Sequence, residues 1–269
     1  MKKVVTIAGS DATGGGGIEA DLKTFQEYGV FGFAAITSIV TMFPESGKHQ
    51  LTPLDLNLID KQIDSALAGP IDAIKTGLLP SREIIELTSQ KLFDFSGPIV
   101  VDPVIAGKGT TDFLNADNVT AMREVLLPMA YITTPNLREA GILSGLGELK
   151  EKSQIEKAAK IIYSFGAKNV VIKGGGAGLP FDLYYNGEIF HYFPHPIIET
   201  TFNHGAGCTF AASITAALAK DYELFSAIKT SINFVQAAIK AGIAINPYVG
   251  HVWHGAYNHA EKRMEENHD

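Results

Sequence analysis

The chain carries a single cysteine, Cys208, in 269 residues. One thiol cannot form an intramolecular disulfide, which excludes a stapled secreted scaffold and leaves Cys208 as a small buried residue or a functional group. Lysine and arginine form no runs and the formal net charge is −7. The basic footprint that a nucleic-acid backbone or an anionic membrane requires is therefore absent, and small molecules are the expected partners. Long apolar stretches are missing as well: the opening run in MKKVVTIAGS stops at Gly9, too short for a signal-peptide core or a membrane span. A cytoplasmic protein is expected. Neither G-x-G-x-x-G nor G-x-x-x-x-G-K-[ST] fits any glycine cluster, which argues against dinucleotide-binding and P-loop readings. No linker rich in Pro, Gly or Ser and no repeat divides the chain, so one domain over 1–269 is the simpler count. Hydrophobic residues make up 46% and charged residues 19%, enough material for a well-buried core.

What is present is an alternation. VVTIA at 4–8 precedes IEADLKTFQEYG at 18–29, and AAITSIV at 34–40 precedes LDLNLIDKQIDSALAG at 54–69. DAIKTG, a helical pattern near 81–94, PIVVDPV, another near 116–126, YITTPN, two more between 137 and 165, and NVVIKGGG continue it. Apolar strands that do not alternate, separated by helices, predict an α/β fold with a mainly parallel sheet covered on both faces. Between Pro180 and Pro196, FDLYYNGEIFHYF sets Asn186-Gly187 between two aromatic-rich runs and predicts a late antiparallel hairpin. Two helices near 208–220 and 223–245 are expected to follow, with no later strand and a solvated tail, EKRMEENHD.

In such folds ligands bind beyond the carboxyl ends of the strands, so the loops there carry the chemistry. The first, GSDATGGGGIEAD, starts a helix with Gly14 to Gly17, whose amides are able to face an anion or a polar ring; a plain flexible turn explains the same glycines. The second follows Asp102, where Ile105 to Thr111 (IAGKGTT) has the composition of a lid or of an ordinary connection. In the third, Asn136 and Glu139 nearly match a helix capping box, a role compatible with ligand binding. In the fourth, Lys173 ends an apolar strand ahead of Gly174, Gly175 and Gly176. Such lysines ordinarily snorkel to the surface, yet a nucleotide phosphate needs the same arrangement.

NHGAGCTF is the most informative stretch. Gly205, Ala206 and Gly207 let successive N–H groups converge into an anion hole at a helix start. The same position lowers a thiol pKa, so Cys208 is expected to be partly thiolate near neutral pH, against the commoner reading of a packed small hydrophobe. His251-Val-Trp-His254 lacks further ligands for a metal. His49 is a candidate ring contact, with a surface histidine as its plain reading.

Together TIAGSD at 6–11, GGGGIEADLKTFQE at 14–27, VVDPV at 100–104, TPNLREA at 134–140, IKGGG at 172–176 and HGAGCT at 204–209 resemble one family. They are similar to the vitamin kinases of the ribokinase superfamily, in the branch holding hydroxymethylpyrimidine (phosphate) kinases and bacterial pyridoxal kinases. The resemblance implies a three-layer α/β/α ribokinase-like fold, transfer of the ATP γ-phosphate with Mg²⁺ to the hydroxymethyl group of a small heteroaromatic ring, and a homodimer. It implies that Cys208, where the wider superfamily has an aspartate base, deprotonates or orients the substrate hydroxyl. Gly205, Ala206 and Gly207 would then hold the migrating phosphoryl charge. By the same likeness Asn136 and Glu139 serve the phosphates and Mg²⁺, and Asp102 lies near the metal. Lys173, Gly174, Gly175, Gly176, Ala177, Asp182 and Gly207 line the ATP site, and Ser10, Asp11, Gly17, Met42 and His49 meet the substrate.

Pyrimidine kinases of the branch place a glutamine after the second strand, whereas Thr41-Met42-Phe43-Pro44 offers no such hydrogen bond. His49 resembles the histidine that faces the pyridine ring in the pyridoxal kinases. A kinase for pyridoxal, pyridoxine and pyridoxamine is therefore expected ahead of a hydroxymethylpyrimidine kinase, with a non-catalytic B6-binding protein as the alternative of another class. Two positions depart from the pattern. Gly107 replaces the lid cysteine of several relatives, which removes a lid-thiol adduct with an aldehyde, and Gly250-His251-Val252 replaces a Gly-Pro-Val near the adenine.

Overall fold

The computed structural model describes residues 1–105 and 115–259. Its first half runs β1 (Lys3–Asp11), α1 (Gly17–Glu27), β2 (Phe31–Met42), β3 (His49–Pro53), α2 (Leu56–Ala66), β4 (Ala73–Thr76), α3 (Arg82–Leu92) and β5 (Ile99–Val101). Its second half continues with α4 (Ala116–Ala121), β6 (Ile132–Thr133), α5 (Leu137–Ser144), α6 (Lys152–Ser164), β7 (Val170–Ile172), β8 (Phe181–Tyr185) and β9 (Phe190–Pro194). Helices α7 (Ala206–Ala219) and α8 (Leu224–Lys240) follow, then a short ribbon of β10 (Ile243–Ala244) and β11 (Gly250–His251).

Nine strands form one sheet in the order β3-β2-β1-β4-β5-β6-β7-β8-β9. The strands from β2 to β7 pair in parallel, and β3, β8 and β9 add antiparallel margins. The parallel interior is apolar on both faces because both are covered. Every residue of β4, β5 and β7 is buried, which is why these runs lack alternation. On one face Val5, Ile7, Ile74 and Val101 pack with Ile59, Ile63, Ile85 and Leu143 of α2, α3 and α5. On the other, Val4 and Ala73 meet Phe25 and Ala212 of α1 and α7, and Val100 and Val171 meet Ile214 and Ile232 of α7 and α8. Each such Val, Leu, Ile or Phe side chain contributes about 1.5–3 kcal/mol. The result is the expected three-layer α/β/α architecture.

Several sequence-based expectations shift. Strand β3 is missed by hydrophobic pattern because HQLTP is an edge strand with no fully buried residue; it pairs through Met42 with His49. Helix α8 stops at Lys240, with Ala241 as its cap and Gly242 next. Strands β10 and β11 then appear where no later strand is expected. The predicted hairpin is present, but its connection spans four residues, Asn186 to Ile189, closed by Asn186 Oδ1 accepting from the Glu188 and Ile189 amides at 3.1 and 2.9 Å. Gly107, most of the lid segment after Ile105, and the tail from 260 onward lie outside the described residues.

Strand β1 has β2 on one side and β4 on the other. The direction in which the sheet grows therefore reverses at β1, and the crevice beyond the carboxyl ends at such a switch point is where a ligand fits.

Candidate active site

A cavity of about 570 Å³ occupies that crevice. It is lined by Asp11 at the end of β1, Gly17 at the start of α1, Lys75 on β4, Asp102 after β5, Asn136 and Glu139 at the start of α5, Lys173 after β7, and the segment from Asn203 to Cys208 that leads into α7.

The anion loop is held by contact between distant glycine turns. Gly205 has φ +86°, and a Cβ there would sit 1.7 Å from the Gly15 carbonyl oxygen, so the start of α7 abuts the start of α1. Gly17, with φ +53°, likewise admits no side chain, since a Cβ would lie 2.1 Å from the Gly9 carbonyl. In the first turn of α7 the Ala206 amide bonds to Asn203, while helix geometry leaves the amides of Gly207 and Cys208 without an intrahelical carbonyl. These two amides and the helix dipole lie at the cavity wall, where the expected anion hole would form. Two amides of the Gly14 to Gly17 turn are used within the loop. Its Gly14 amide bonds to the Asp11 carbonyl and its Gly16 amide to Asp11 Oδ2, both at 2.8 Å.

Asp11 itself is fully engaged. Oδ1 accepts from the Thr13 amide and hydroxyl at 2.9 and 2.7 Å, and Oδ2 also faces His204 Nε2 at 2.8 Å. Burial would raise its pKa, but the His204 and Thr13 hydrogen bonds outweigh burial and hold the carboxyl well below the ordinary range. Ser10 donates to Glu19 at 2.6 Å, and Glu19 accepts from the Asp11 amide at 2.8 Å. These residues fix the end of β1 more than they offer free groups to a ligand.

Past them, three imidazoles gather: His204 lies 6.2 Å from His49 and 5.1 Å from His251, ring centre to ring centre. Both ring nitrogens of His49 are buried without a hydrogen-bond partner among the described residues, and the ring lines the cavity. Burial, then the nearby His204, lowers its pKa and keeps it neutral. His251 faces Thr13 and His254 faces Thr209, so this pair converges on no common ion. Met42 is absent from the cavity lining among the described residues, and it stands opposite His49 in the β2–β3 pair.

At the opposite end, Asn136 and Glu139 form the full capping box at 2.9 and 2.8 Å. Burial first, and the neighbouring Asp102, push the Glu139 carboxyl up to about 7 even though Lys173 opposes the shift. Lys173 does not snorkel: its Nζ bonds Asp102 Oδ1 at 3.0 Å and would lie 3.3 Å from a Cβ on Gly207. It therefore bridges a carboxylate and the anion loop. Gly175–Ala177 form a 3₁₀ turn, anchored by Asp182 Oδ1 accepting from the Gly174 amide at 2.8 Å and facing His195 Nε2 at 3.2 Å.

Cys208 departs from expectation in one respect. It sits at the third position of α7 beside the cavity, but burial pushes the thiol up to about 12, overriding the helix dipole and the Lys75 charge. At neutral pH it is a protonated thiol. Sequence reading also missed Lys75, a fully buried lysine paired with Asp21 at 2.9 Å, and the roles of His204 and His195. The signals were a charge inside the apolar run DAIKTG and an aspartate on the buried face of α1 between Ile18 and Phe25.

The phosphomethylpyrimidine kinase family model matches residues 11–253. Pyridoxine kinase of Bacillus subtilis is 45% identical over 262 residues, covering 95% of this chain and 97% of that protein. The hydroxymethylpyrimidine/phosphomethylpyrimidine kinase of the same organism is 39% identical over 263 residues, with 96% and 94% covered. Pyridoxal kinase of Staphylococcus aureus, solved in complex with AMP-PCP and pyridoxal, superimposes with a TM-score of 0.91 at 45% identity over 96% of this chain and 95% of that one. The ordered strand-end motifs, the ribokinase-like layers and these likenesses agree: the chain belongs to the phosphomethylpyrimidine kinase family.

Proposed function

We propose that the protein is an ATP-dependent kinase of vitamin B6, phosphorylating the 5′-hydroxymethyl group of pyridoxal, pyridoxine and pyridoxamine to pyridoxal 5′-phosphate and its vitamer equivalents. The observation that carries this reading is the neutral His49 ring in the cavity wall, both of whose nitrogens are buried with no partner among the described residues. Such a ring offers one donor and one acceptor to a polar heteroaromatic substrate, and an unpartnered buried polar group is relieved when a ligand fills its hydrogen bonds.

In this reading the substrate ring lies against His49 with its hydroxymethyl arm toward Cys208. The thiol first positions the hydroxyl by hydrogen bonding. The amides of Gly207 and Cys208 and the Lys173 ammonium then face the transferring phosphoryl oxygens, since such transfer is catalysed mainly by positioning and electrostatics. The turn from Gly174 to Ala177, set by Asp182, holds the nucleotide, and Ile232, Val235 and Ile239 of α8 offer an apolar wall to its base.

Mg²⁺ fits the remaining donors. Asp102 and Glu139 are two buried carboxylates: burial first, and Asp102 after it, raise Glu139 against the Lys173 charge, and oxygen donors of this kind suit a divalent cation. Among the described residues no cluster of three or more His, Cys, Asp or Glu gathers around one point. That suits a hard cation completed by phosphate oxygens and water. When bound, the ion neutralises charge on the phosphates.

ADP release measured with the three vitamers and with hydroxymethylpyrimidine, with and without its 5′-phosphate, tests the assignment. Turnover confined to the pyrimidines would overturn it in favour of the pyrimidine kinase function, and vitamer binding without ADP formation would support a non-catalytic binder. A homodimer is the assembly in keeping with the family resemblance, and light scattering checks it. One continuous sheet supports a single kinase domain, and the lone cysteine with ATP as donor supports a cytoplasmic setting.

A further inference from the structure

The glycine turn between β7 and β8 has little packing of its own. Gly175, Gly176, Ala177 and Gly178 are all exposed, although they join two strands of the sheet. The side chain that anchors the turn is Asp182, the second residue of β8, whose Oδ1 accepts from the Gly174 amide at 2.8 Å. The same oxygen faces His195 Nε2 at 3.2 Å. The imidazole also abuts the turn, since a Cβ on Gly175 would lie 3.0 Å from its Cε1. His195 and Asp182 both line the cavity, with side chains only 4% and 9% exposed.

Both nitrogens of this ring meet acceptors. Nε2 faces the Asp182 carboxylate, and Nδ1 faces the Pro196 carbonyl oxygen at 3.3 Å. A carbonyl and an ionised carboxylate only accept, so both contacts are hydrogen bonds only when both nitrogens carry protons. A neutral ring has one N–H and sets a lone pair against the other oxygen. The charge facing the ring is that of Asp182, from β8. Lys173, at the end of β7, is turned to Asp102 at 3.0 Å, and α8 brings the neutral Gln236 amide, which donates to the same Pro196 carbonyl at 3.1 Å. The Asp182 hydrogen bond outweighs burial and raises the pKa of His195 above its ordinary 6.5.

We propose that His195 is a positioning residue of the nucleotide site: as an imidazolium it ties the Gly174–Ala177 turn, through Asp182, to the Pro196 backbone, and nucleotide affinity falls as the ring loses its second proton. Deprotonation opens one of the two contacts, so either the turn loses its brace or the segment after β9 does. Because the native pKa is raised, the link is complete below about pH 6.5 and is lost as pH rises through the raised value. The proposal rests on the reading of this turn as the nucleotide holder, and nucleotide binding tests it without turnover.

Binding of ADP with Mg²⁺ is measured by titration calorimetry from about pH 6 to pH 9 for wild type and for His195→Gln, which is neutral throughout. Ionisation of ADP itself is common to both and cancels in the ratio of their Kd values. The variant is expected to bind about 10-fold more weakly at the acid end, the scale of one charge-assisted hydrogen bond, with the ratio falling towards one at the alkaline end. KM for ATP is expected to follow the same profile with kcat nearly unchanged, a split that a general folding defect does not give. By reciprocity ADP raises the titration midpoint of the His195 ring proton, the NMR resonance missing from His195→Gln. Should that variant not fold, His195→Asn supplies the neutral reference. A Kd ratio constant across the range, or a ring midpoint unmoved by ADP, overturns the proposal and leaves the nucleotide reading intact. Wild type that binds no ADP at any pH overturns both. If the ratio changes as expected while no B6 vitamer is phosphorylated, the vitamer reading fails and the role of His195 stands.

Discussion

Gly205→Ala separates a required contact from a merely small residue. At φ +86° an alanine lies in the left-handed region, which costs about 1–2 kcal/mol. The larger effect is steric. The added Cβ would sit 1.7 Å from the Gly15 carbonyl oxygen, and a tolerable contact near 3.2 Å requires the two loops to part by roughly 1.5 Å. Misplacement of about 1 Å in a positioned site costs on the order of 10²-fold in rate. Saturating ADP-release assays should therefore show kcat reduced about 10²-fold. Strain alone should lower the melting temperature by roughly 2–8 °C, taking 2–4 °C per kcal/mol for a chain somewhat above the size for which that scale holds. Gly69→Ala is the matched control, since a Cβ there meets nothing within 4 Å and the residue lies away from the cavity lining, and it should melt and turn over like wild type. A Gly205→Ala enzyme with kcat within about 3-fold of wild type would refute the argument that the anion loop is located by its abutment on the glycine turn.

Other perturbations follow from the same geometry. Cys208→Ala should lower kcat by roughly 10²-fold or more with ATP binding nearly intact; wild-type turnover in steady-state assays would reduce the thiol to packing. Asp11→Asn should destabilise the protein at pH 7 by about 1.5–3 kcal/mol, the worth of charge-assisted hydrogen bonds. Because the native pKa is depressed from 3.8, that difference should be constant above about pH 4 and shrink in acid as both proteins are melted at falling pH. Glu139 has the opposite sign: its native pKa is raised from 4.5 to about 7, so ionisation costs stability as pH rises from about 4.5 through 7. Glu139→Gln should then melt progressively higher than wild type between pH 5 and 8, while losing activity. Lys173→Met should raise KM for ATP and lower kcat together, and a change in neither would remove Lys173 from the phosphate site.

The fold was readable where burial is two-sided. β4, β5 and β7 are buried at every residue, and unbroken apolar runs are the signature of such strands. Strand β3 left no such trace, because an edge strand is specified by its neighbour's backbone more than by its own side chains. At the site, Asn136, Glu139, Lys173 and Cys208 were visible because they follow strands in sequence. Lys75 and Asp21 were not, since each lies inside an element and they meet only when α1 folds over β4. The ionisation of Cys208 was misjudged for a related reason: a helix N-terminus is a local feature, whereas burial is set by every layer that closes over it.

The Asp11–His204 contact joins residues 193 positions apart. Closing so long a loop is entropically slow, and contacts of this range form after local helices and neighbouring strands. The catalytic pocket is accordingly a product of whole-chain closure and not of any early folding unit. During synthesis at about 5–20 residues per second, the first two thirds of the chain emerge with β1 finished and its terminal carboxylate still waiting for its imidazole. A chain stalled before His204 is left with the sheet's edge of the crevice and no competence for transfer, so catalytic activity is itself a report that the end of β1 and the loop before α7 have met.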